Sequence, residues 1–423
     1  MKILWVKSGG LVPLDHGGKI RSYQLARELA RKHDVTLFTF CPEDQVSAHA
    51  ELEQVFARVL CLPLRLPAPK SLADYAAYAR NLFSGQPYSM AKYCRPWIAR
   101  KLRQFLNSEP HDVMLCDFLL TAAVIPWDMP GPKVLFTHNI EAQIWQRHYQ
   151  VSRNPIWKAV AWREYQAMRR LERRYIERAE YILTVSEADR DFFARFADPA
   201  KITVIPTGVD PDYFRPTLEA EQPNTIVFTG SMDWLANEDG ILYFLDEVLP
   251  RIRKAVPDVS LCIVGRRPSS RLRERASREK GVHVTGTVAD IRPYMARGSV
   301  YVVPLLVGGG TRIKIFEAMA MSKPIVSTSI GAEGLPVKHE ENIILADQPE
   351  EFADQVVRLL GDPERRGALG RAARRLVERN YGWAAVTEKL EEVLARAAAN
   401  SSKRLAGALE FSRSGETADA RTR

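Results

Sequence analysis

The sequence predicts an α/β protein made of two doubly wound parallel-sheet domains. Short β-branched or apolar runs alternate with longer helical patterns almost throughout the 423 residues, the pattern of parallel strands covered by helices. That length exceeds one ordinary domain and suits two of roughly 200 residues each. A composition of 46% hydrophobic and 26% charged residues supplies the cores that two such sheets need.

The strands expected in the first half are KILWV (2–6), DVTLFTF (34–40), DVMLC (112–116), KVLFT (133–137), YILTV (181–185) and ITVI (202–205). An acidic, proline-containing stretch, PTLEAEQPN (216–224), interrupts the alternation before a fresh strand, TIVFTG (225–230). The boundary is therefore expected there, with domains at 1–218 and 219–400. SLCIVG (260–265), VHVTG (282–286), SVYVVP (299–304), PIVST (324–328) and NIILA (342–346) continue the second sheet. The last helix is expected to pack back on the first domain. Residues 401–423, rich in Ser, Ala and Arg with little periodicity, read as a disordered tail. Two domains of this kind face each other across a cleft, and ligands gather at the carboxyl ends of their strands.

A formal charge of +9 points to anionic partners: phosphorylated small molecules, nucleic acid or an acidic membrane surface. Segment 157–181 keeps Val160, Tyr165, Met168, Leu171 and Tyr175 at helical spacing and carries Arg169, Arg170, Arg173, Arg174 and Arg178 between them. Segment 92–105 is a second basic stretch, with Trp97. Such helices either present solvated cationic faces or meet anionic lipid headgroups or a lipid-linked diphosphate. No recognised nucleic-acid motif accompanies the charge, so nucleic acid is not expected as a partner.

Cys41, Cys61, Cys94, Cys116 and Cys262 are scattered, odd in number and mostly set in apolar runs. They read as reduced core residues, neither a disulfide frame nor a metal site. The amino terminus MKILWVKSGG has too short an apolar run for a signal peptide, and no stretch reaches the ~20 apolar residues needed to span a bilayer. A cytoplasmic chain, or one that only touches a membrane, is the expectation.

Several strand-to-helix junctions could carry chemistry. Gly17 and Gly18 close the loop KSGGLVPLDHGG (7–18) before a helix over 19–33; paired glycines there either make a simple turn or let backbone N–H groups approach an anion. The strand KVLFT runs straight into His138, placing an imidazole where catalytic groups of such sheets sit. In IPTGVDPDYFRP (205–216), Asp210 and Asp212 read as turn or capping carboxylates, because nothing nearby completes a metal set. Gly230 and Gly265 end two strands of the second domain, and Arg266 and Arg267 follow the second of them.

The segment GGGTRIKIFEAMA (308–320) is the densest of these junctions. Gly308, Gly309 and Gly310 can bring backbone close to a ligand, and Thr311 suits an N-cap. Arg312 and Lys314 then fall in a first helical turn, where the dipole disfavours cations unless an anion such as a diphosphate repays them. Glu317 shares a face with Lys314 and sits among apolar residues, so it either pairs with Lys314 or accepts the hydroxyls of a ribose. Cations for a diphosphate beside a carboxylate for a diol describe a nucleotide-sugar site.

Taken together, these stretches, with GAEGL (331–335), resemble glycosyltransferase family 4, the retaining sugar-nucleotide enzymes of the GT-B fold. The resemblance extends to about residue 395 and implies two Rossmann-like domains, acceptor side first and donor side second. It implies that Gly17 and Gly18 border the donor diphosphate and that His138 contacts the transferred sugar near the reacting carbon. It further implies that Glu317 holds the ribose and that Arg266, Arg312 and Lys314 meet the leaving diphosphate, with Gly230, Gly265, Gly309, Gly310 and Thr311 lining the donor. Many members carry two glutamates seven residues apart, and Gly309 stands at the first of these positions, where backbone N–H groups would take over contact with the sugar. No metal or bound cofactor is implied; side-chain cations and helix ends stabilise the departing diphosphate.

The expected activity is therefore transfer of a hexose-type sugar from a nucleoside-diphosphate sugar to a saccharide or lipid-linked acceptor, in cell-envelope or exopolysaccharide assembly. Peripheral contact with an anionic membrane would suit such an acceptor. A nucleotide-sugar epimerase and a non-catalytic nucleotide-sugar-binding subunit are the alternatives. A dinucleotide oxidoreductase is weaker, since the spacing G-x-G-x-x-G does not follow the first strand.

Overall fold

The computed structural model describes the backbone of residues 1–14, 17–68, 71–152, 154–217, 221–307 and 313–419. Two units separate by their internal packing: residues 1–206 with 387–423, and residues 207–386.

The first unit carries seven parallel strands: β1 (Lys2–Ser8), β2 (Asp34–Pro42), β3 (Arg58–Leu64), β4 (Val113–Asp117), β5 (Lys133–Phe136), β6 (Tyr181–Thr184) and β7 (Ile202–Val204). Their spatial order is β3-β2-β1-β4-β5-β6-β7, so the chain winds outward from β1 in both directions. Central strands read as continuous apolar runs because helices cover both faces; Ile3, Leu4, Trp5 and Val6 are all fully buried. Register sets Lys7 opposite Asp117, and Asp117 opposite Phe136. Three neighbouring strands thus end in one row. Among the strands listed from sequence, β3 is missing. It is an edge strand, its burial is partial, and Pro63 inside it weakens the strand pattern while being tolerated at an edge.

The second unit carries six parallel strands: β8 (Thr225–Thr229), β9 (Ser260–Val264), β10 (Val282–Val284), β11 (Val300–Val303), β12 (Ile325–Ser327) and β13 (Ile344–Leu345), ordered β10-β9-β8-β11-β12-β13. Its own core includes Phe228, Ile263, Val302, Phe316 and Phe352. The first unit's core gathers Leu4, Phe38, Ile98, Leu135 and Met168.

The division between the units differs from the expected one. Residues 207–217 pack with the second unit, not the first, because Val209 N–H donates to Tyr381 O at 2.8 Å and Trp383 N–H donates to Val209 O at 3.2 Å. The acidic stretch at 216–224 is composition without a boundary; the division lies at Pro206. The last helix spans Trp383–Asp419, as its Ala, Leu, Arg, Lys and Glu content favours. Within the first unit that helix buries Leu390, Leu394 and Ala397, while Glu391 meets Lys32 and His33, each at 3.0 Å. No helix among the described residues is long and apolar enough to cross a membrane.

Candidate functional site

In the first unit the row of strand ends gathers a buried charged cluster. Asp117, fully buried at the end of β4, accepts from three donors: Trp5 Nε1 at 3.0 Å, His138 Nε2 at 2.8 Å and Lys7 Nζ at 3.3 Å. Burial alone would raise the Asp117 carboxyl, but the Lys7 ammonium and the His138 ring outweigh it and hold it below the ordinary carboxylate range. Lys7 is pulled down by burial, against the opposing pull of Asp117. Arg21, on the helix Gly17–Ala30, is also fully buried; it donates to Ile205 O and lies 4.9 Å over the Phe136 ring.

His138 is 3% exposed. A carboxylate can only accept, so the imidazole proton sits on Nε2, and Nδ1 has no partner among the described residues. Burial depresses the ring to about 4 despite Asp117, so the imidazole is neutral at pH 7. Phe118 stacks on it with ring centroids 3.7 Å apart, and Lys7 Nζ lies 3.9 Å from the same Phe118 ring. Phe118 holds φ of 69°, a conformation that costs a bulky residue about 1–3 kcal/mol and that clusters at functional sites. The cluster thus offers an uncommitted imidazole lone pair fixed in one tautomer beside two buried cations.

Gly17 and Gly18 open the helix Gly17–Ala30, whose first-turn N–H groups have no intrahelical acceptors. Ser22 Oγ donates to Gly18 O at 2.9 Å, tightening that turn.

In the second unit the ends of β8 and β9 meet at their glycines. Gly230 N–H donates to Val264 O at 2.9 Å, and a Cβ on Gly265 would fall 1.7 Å from Gly230 O. Only glycine fits that approach. Lys314, at the start of the helix Ile313–Ala320, donates Nζ to Asn237 Oδ1 at 2.6 Å and lies 4.4 Å over the Phe228 ring. A Cβ on Gly230 would come within 2.8 Å of both Lys314 Nζ and Asn237 Nδ2. Arg266 Nε donates to Ser231 Oγ at 2.6 Å, with Asp233 3.9 Å from its guanidinium. Glu317, only partly exposed, is pushed up to about 7 by burial, with Lys314 opposing. Gly230, Gly265 and Lys314 are therefore brought together, with Arg266 on the adjoining loop. Gly308, Gly309, Gly310, Thr311 and Arg312 lie outside the described residues.

The Asp210 reading holds: its Oδ1 accepts from the N–H groups of Asp212 and Tyr213 at 3.1 and 2.9 Å, as a turn carboxylate does. Cys41, His49 and Cys61 lie close together in the first unit. His49 Nε2 accepts from Leu11 N–H at 2.9 Å while Nδ1 meets Gln45 O at 2.8 Å, so the imidazole has no lone pair left for a metal.

Of the residues expected from sequence, His138 lies in the first cluster and Gly230, Gly265, Arg266 and Lys314 at the second junction; their neighbours Lys7, Asp117, Phe118, Arg21 and Asn237 were not among those expected. A carboxylate directly after the apolar run DVMLC was a legible signal for Asp117. Nothing local distinguishes Arg21 from the surface arginines of other helices.

Comparison with known proteins follows the two units. Residues 16–213 match the family model described as Glycosyltransferase Family 4, and residues 223–362 match Glycosyl transferases group 1. A GDP-mannose-dependent alpha-(1-6)-phosphatidylinositol monomannoside mannosyltransferase of Mycobacterium tuberculosis is 28% identical over 261 residues, 56% of this chain and 66% of that relative. That match spans just under two thirds of the relative. Among solved structures, the sucrose-phosphate synthase of Thermosynechococcus elongatus superposes with a TM-score of 0.68 at 17% identity, covering 94% of this chain and 99% of that one. Anabaena HepE in complex with UDP-glucose gives 0.63 at 17% identity, covering 94% and 100%. These structural likenesses concern the fold.

Proposed function

We propose, from the premise that the chain belongs to glycosyltransferase family 4 and has the GT-B fold, that it moves a hexose-type sugar from a nucleoside-diphosphate sugar to a saccharide or lipid-linked acceptor. The observation that carries this reading is the second unit's junction: two glycines in backbone contact, Lys314 against one of them, and Arg266 on the next loop. Close backbone with cations at strand ends suits a diphosphate.

In this reading Lys314, Arg266 and Arg312 neutralise the departing diphosphate, and Glu317 accepts the ribose hydroxyls. Gly309 and Gly310 offer backbone N–H groups. Neither metal nor cofactor takes part, since side-chain cations supply the charge stabilisation. The anomeric configuration is retained: the acceptor hydroxyl attacks on the face that the leaving phosphate vacates, and that phosphate helps remove its proton. His138, kept neutral by burial and fixed in one tautomer by Asp117, hydrogen-bonds the transferred sugar near the reacting carbon. The setting is cell-envelope or exopolysaccharide assembly at the cytoplasmic face of a membrane.

The test is hydrolysis and transfer against a panel of nucleotide sugars, beginning with GDP-mannose, the donor of the GDP-mannose-dependent mycobacterial relative. His138→Ala should cut transfer about 100-fold or more while donor affinity changes little, as expected for a group that acts on the reacting centre. Wild-type turnover in that variant would make the histidine structural. Isomerisation of donor with no acceptor present would favour an epimerase.

A further inference from the structure

We propose that the first unit docks on an anionic lipid bilayer through a face built from residues 72–83, the helix Glu141–Val151 and the start of the helix Pro155–Arg178. This deepens the proposed reading, because it rests on a lipid-linked acceptor for its purpose.

Large exposed apolar side chains concentrate there. Of fifteen among the described residues, eight belong to this face: Leu72, Tyr75, Leu82, Phe83, Ile144, Ile156, Trp157 and Trp162. Phe83 is 93% exposed, Leu72 88% and Ile156 77%, so nothing among the described residues covers them.

These residues form one surface. Arg163 Nη2 donates to Asn81 O at 2.6 Å and its guanidinium lies 5.8 Å over the Tyr78 ring, joining the helix Leu72–Asn81 to the long helix. Trp162 packs on Tyr149 at 5.0 Å, and Trp157 on Trp145 at 6.2 Å, joining the long helix to Glu141–Val151.

Charge selects the occupant. Residues 72–83, 141–151 and 155–163 hold Arg80, Arg147, Lys158 and Arg163 against Asp74 and Glu141. The adjoining Glu164 is buried, its Oε2 accepting from Tyr88 N–H. Tryptophan and tyrosine at the water boundary, aliphatic and phenyl groups beyond them, and cations alongside are what an anionic headgroup layer binds. The arginine stripe by itself is a poorer candidate. Arg169 and Arg173 line a cavity of about 310 Å³ together with Tyr165, Glu172, Phe192 and Phe196.

The protein should co-sediment with vesicles of phosphatidylcholine containing phosphatidylglycerol, bind pure phosphatidylcholine more weakly, and lose binding as salt rises. The pairs Leu82→Ser with Phe83→Ser, and Ile156→Ser with Trp157→Ser, should each lower partitioning about tenfold or more. Circular dichroism should confirm that both remain folded, as substitutions at exposed sites allow. Unchanged partitioning in both variants, or no binding of the parent to anionic vesicles, overturns the proposal. So does a parent that is dimeric in solution and becomes monomeric in the variants, since a second copy would then cover the face. Donor hydrolysis measured on the same samples separates the two readings. Hydrolysis without vesicle binding sinks only the membrane face, while vesicle binding without any donor turnover sinks the transferase reading.

Discussion

Asp117→Asn gives the sharpest test of the buried cluster. The carboxylate accepts from Trp5, His138 and Lys7 at 3.0, 2.8 and 3.3 Å and is fully buried. An asparagine offers one acceptor oxygen, and its amide N–H groups must face at least one of those three donors. Lys7 and Arg21, both buried, lose their neighbouring negative charge. Breaking a buried pair by removing one partner costs about 3–5 kcal/mol, a large share of the ~5–15 kcal/mol that stabilises an ordinary domain. With an m-value of about 2–3 kcal/mol per M urea, the midpoint of the first unit should fall by about 1–2 M. Urea titration followed by circular dichroism measures it. Adding Lys7→Met removes the stranded ammonium and keeps its volume, so the double variant should be less destabilised than the two single effects summed. A midpoint within about 0.3 M of the parent, or strictly additive losses, would refute the account of Asp117 as the cluster's counter-charge.

Three further outcomes are expected. Gly265→Ala sets a methyl 1.7 Å from a backbone oxygen; it should cost at least about 1–3 kcal/mol in thermal unfolding, and unchanged stability would show that the loop gives way freely. Lys314→Ala should weaken nucleotide-sugar affinity about tenfold or more in calorimetry, the scale of a lost charge-assisted contact, whereas unchanged affinity removes its assigned role. Stability should decline as pH rises from about 4.5 toward 8, because two raised carboxyls outweigh one depressed imidazole. His138, depressed to about 4 by burial, contributes stability that is present above its ordinary 6.5 and lost as pH falls toward 4. Glu317 and Glu172, raised by burial to about 7 and about 8 from 4.5, contribute stability present below 4.5 and lost as pH rises through those values. Melting temperatures from pH 4 to 9 would display the decline, and Glu317→Gln should flatten it for the second unit.

Much of the fold was legible because buried parallel strands must be continuous apolar runs. Twelve strands stood out in this way, and only the edge strand Arg58–Leu64 escaped, its pattern broken by Pro63 and partial exposure. The domain division was misplaced because composition at 216–224 carries no information about the pairing of Val209 with Tyr381 and Trp383, residues remote in sequence.

The sequence by itself determined the two parallel sheets, the glycine and cation positions at strand ends, and His138 after its strand, because each is written in local spacing. Tertiary structure alone decided what those groups meet. Strand register placed Lys7 opposite Asp117, and the next strand's exit brought His138 onto the same carboxylate. The backbone contact of Gly230 with Gly265, and the union of residues 72–83 with the aromatic helices, likewise join positions far apart in the chain. Distances between such positions follow from packing, which no local pattern encodes.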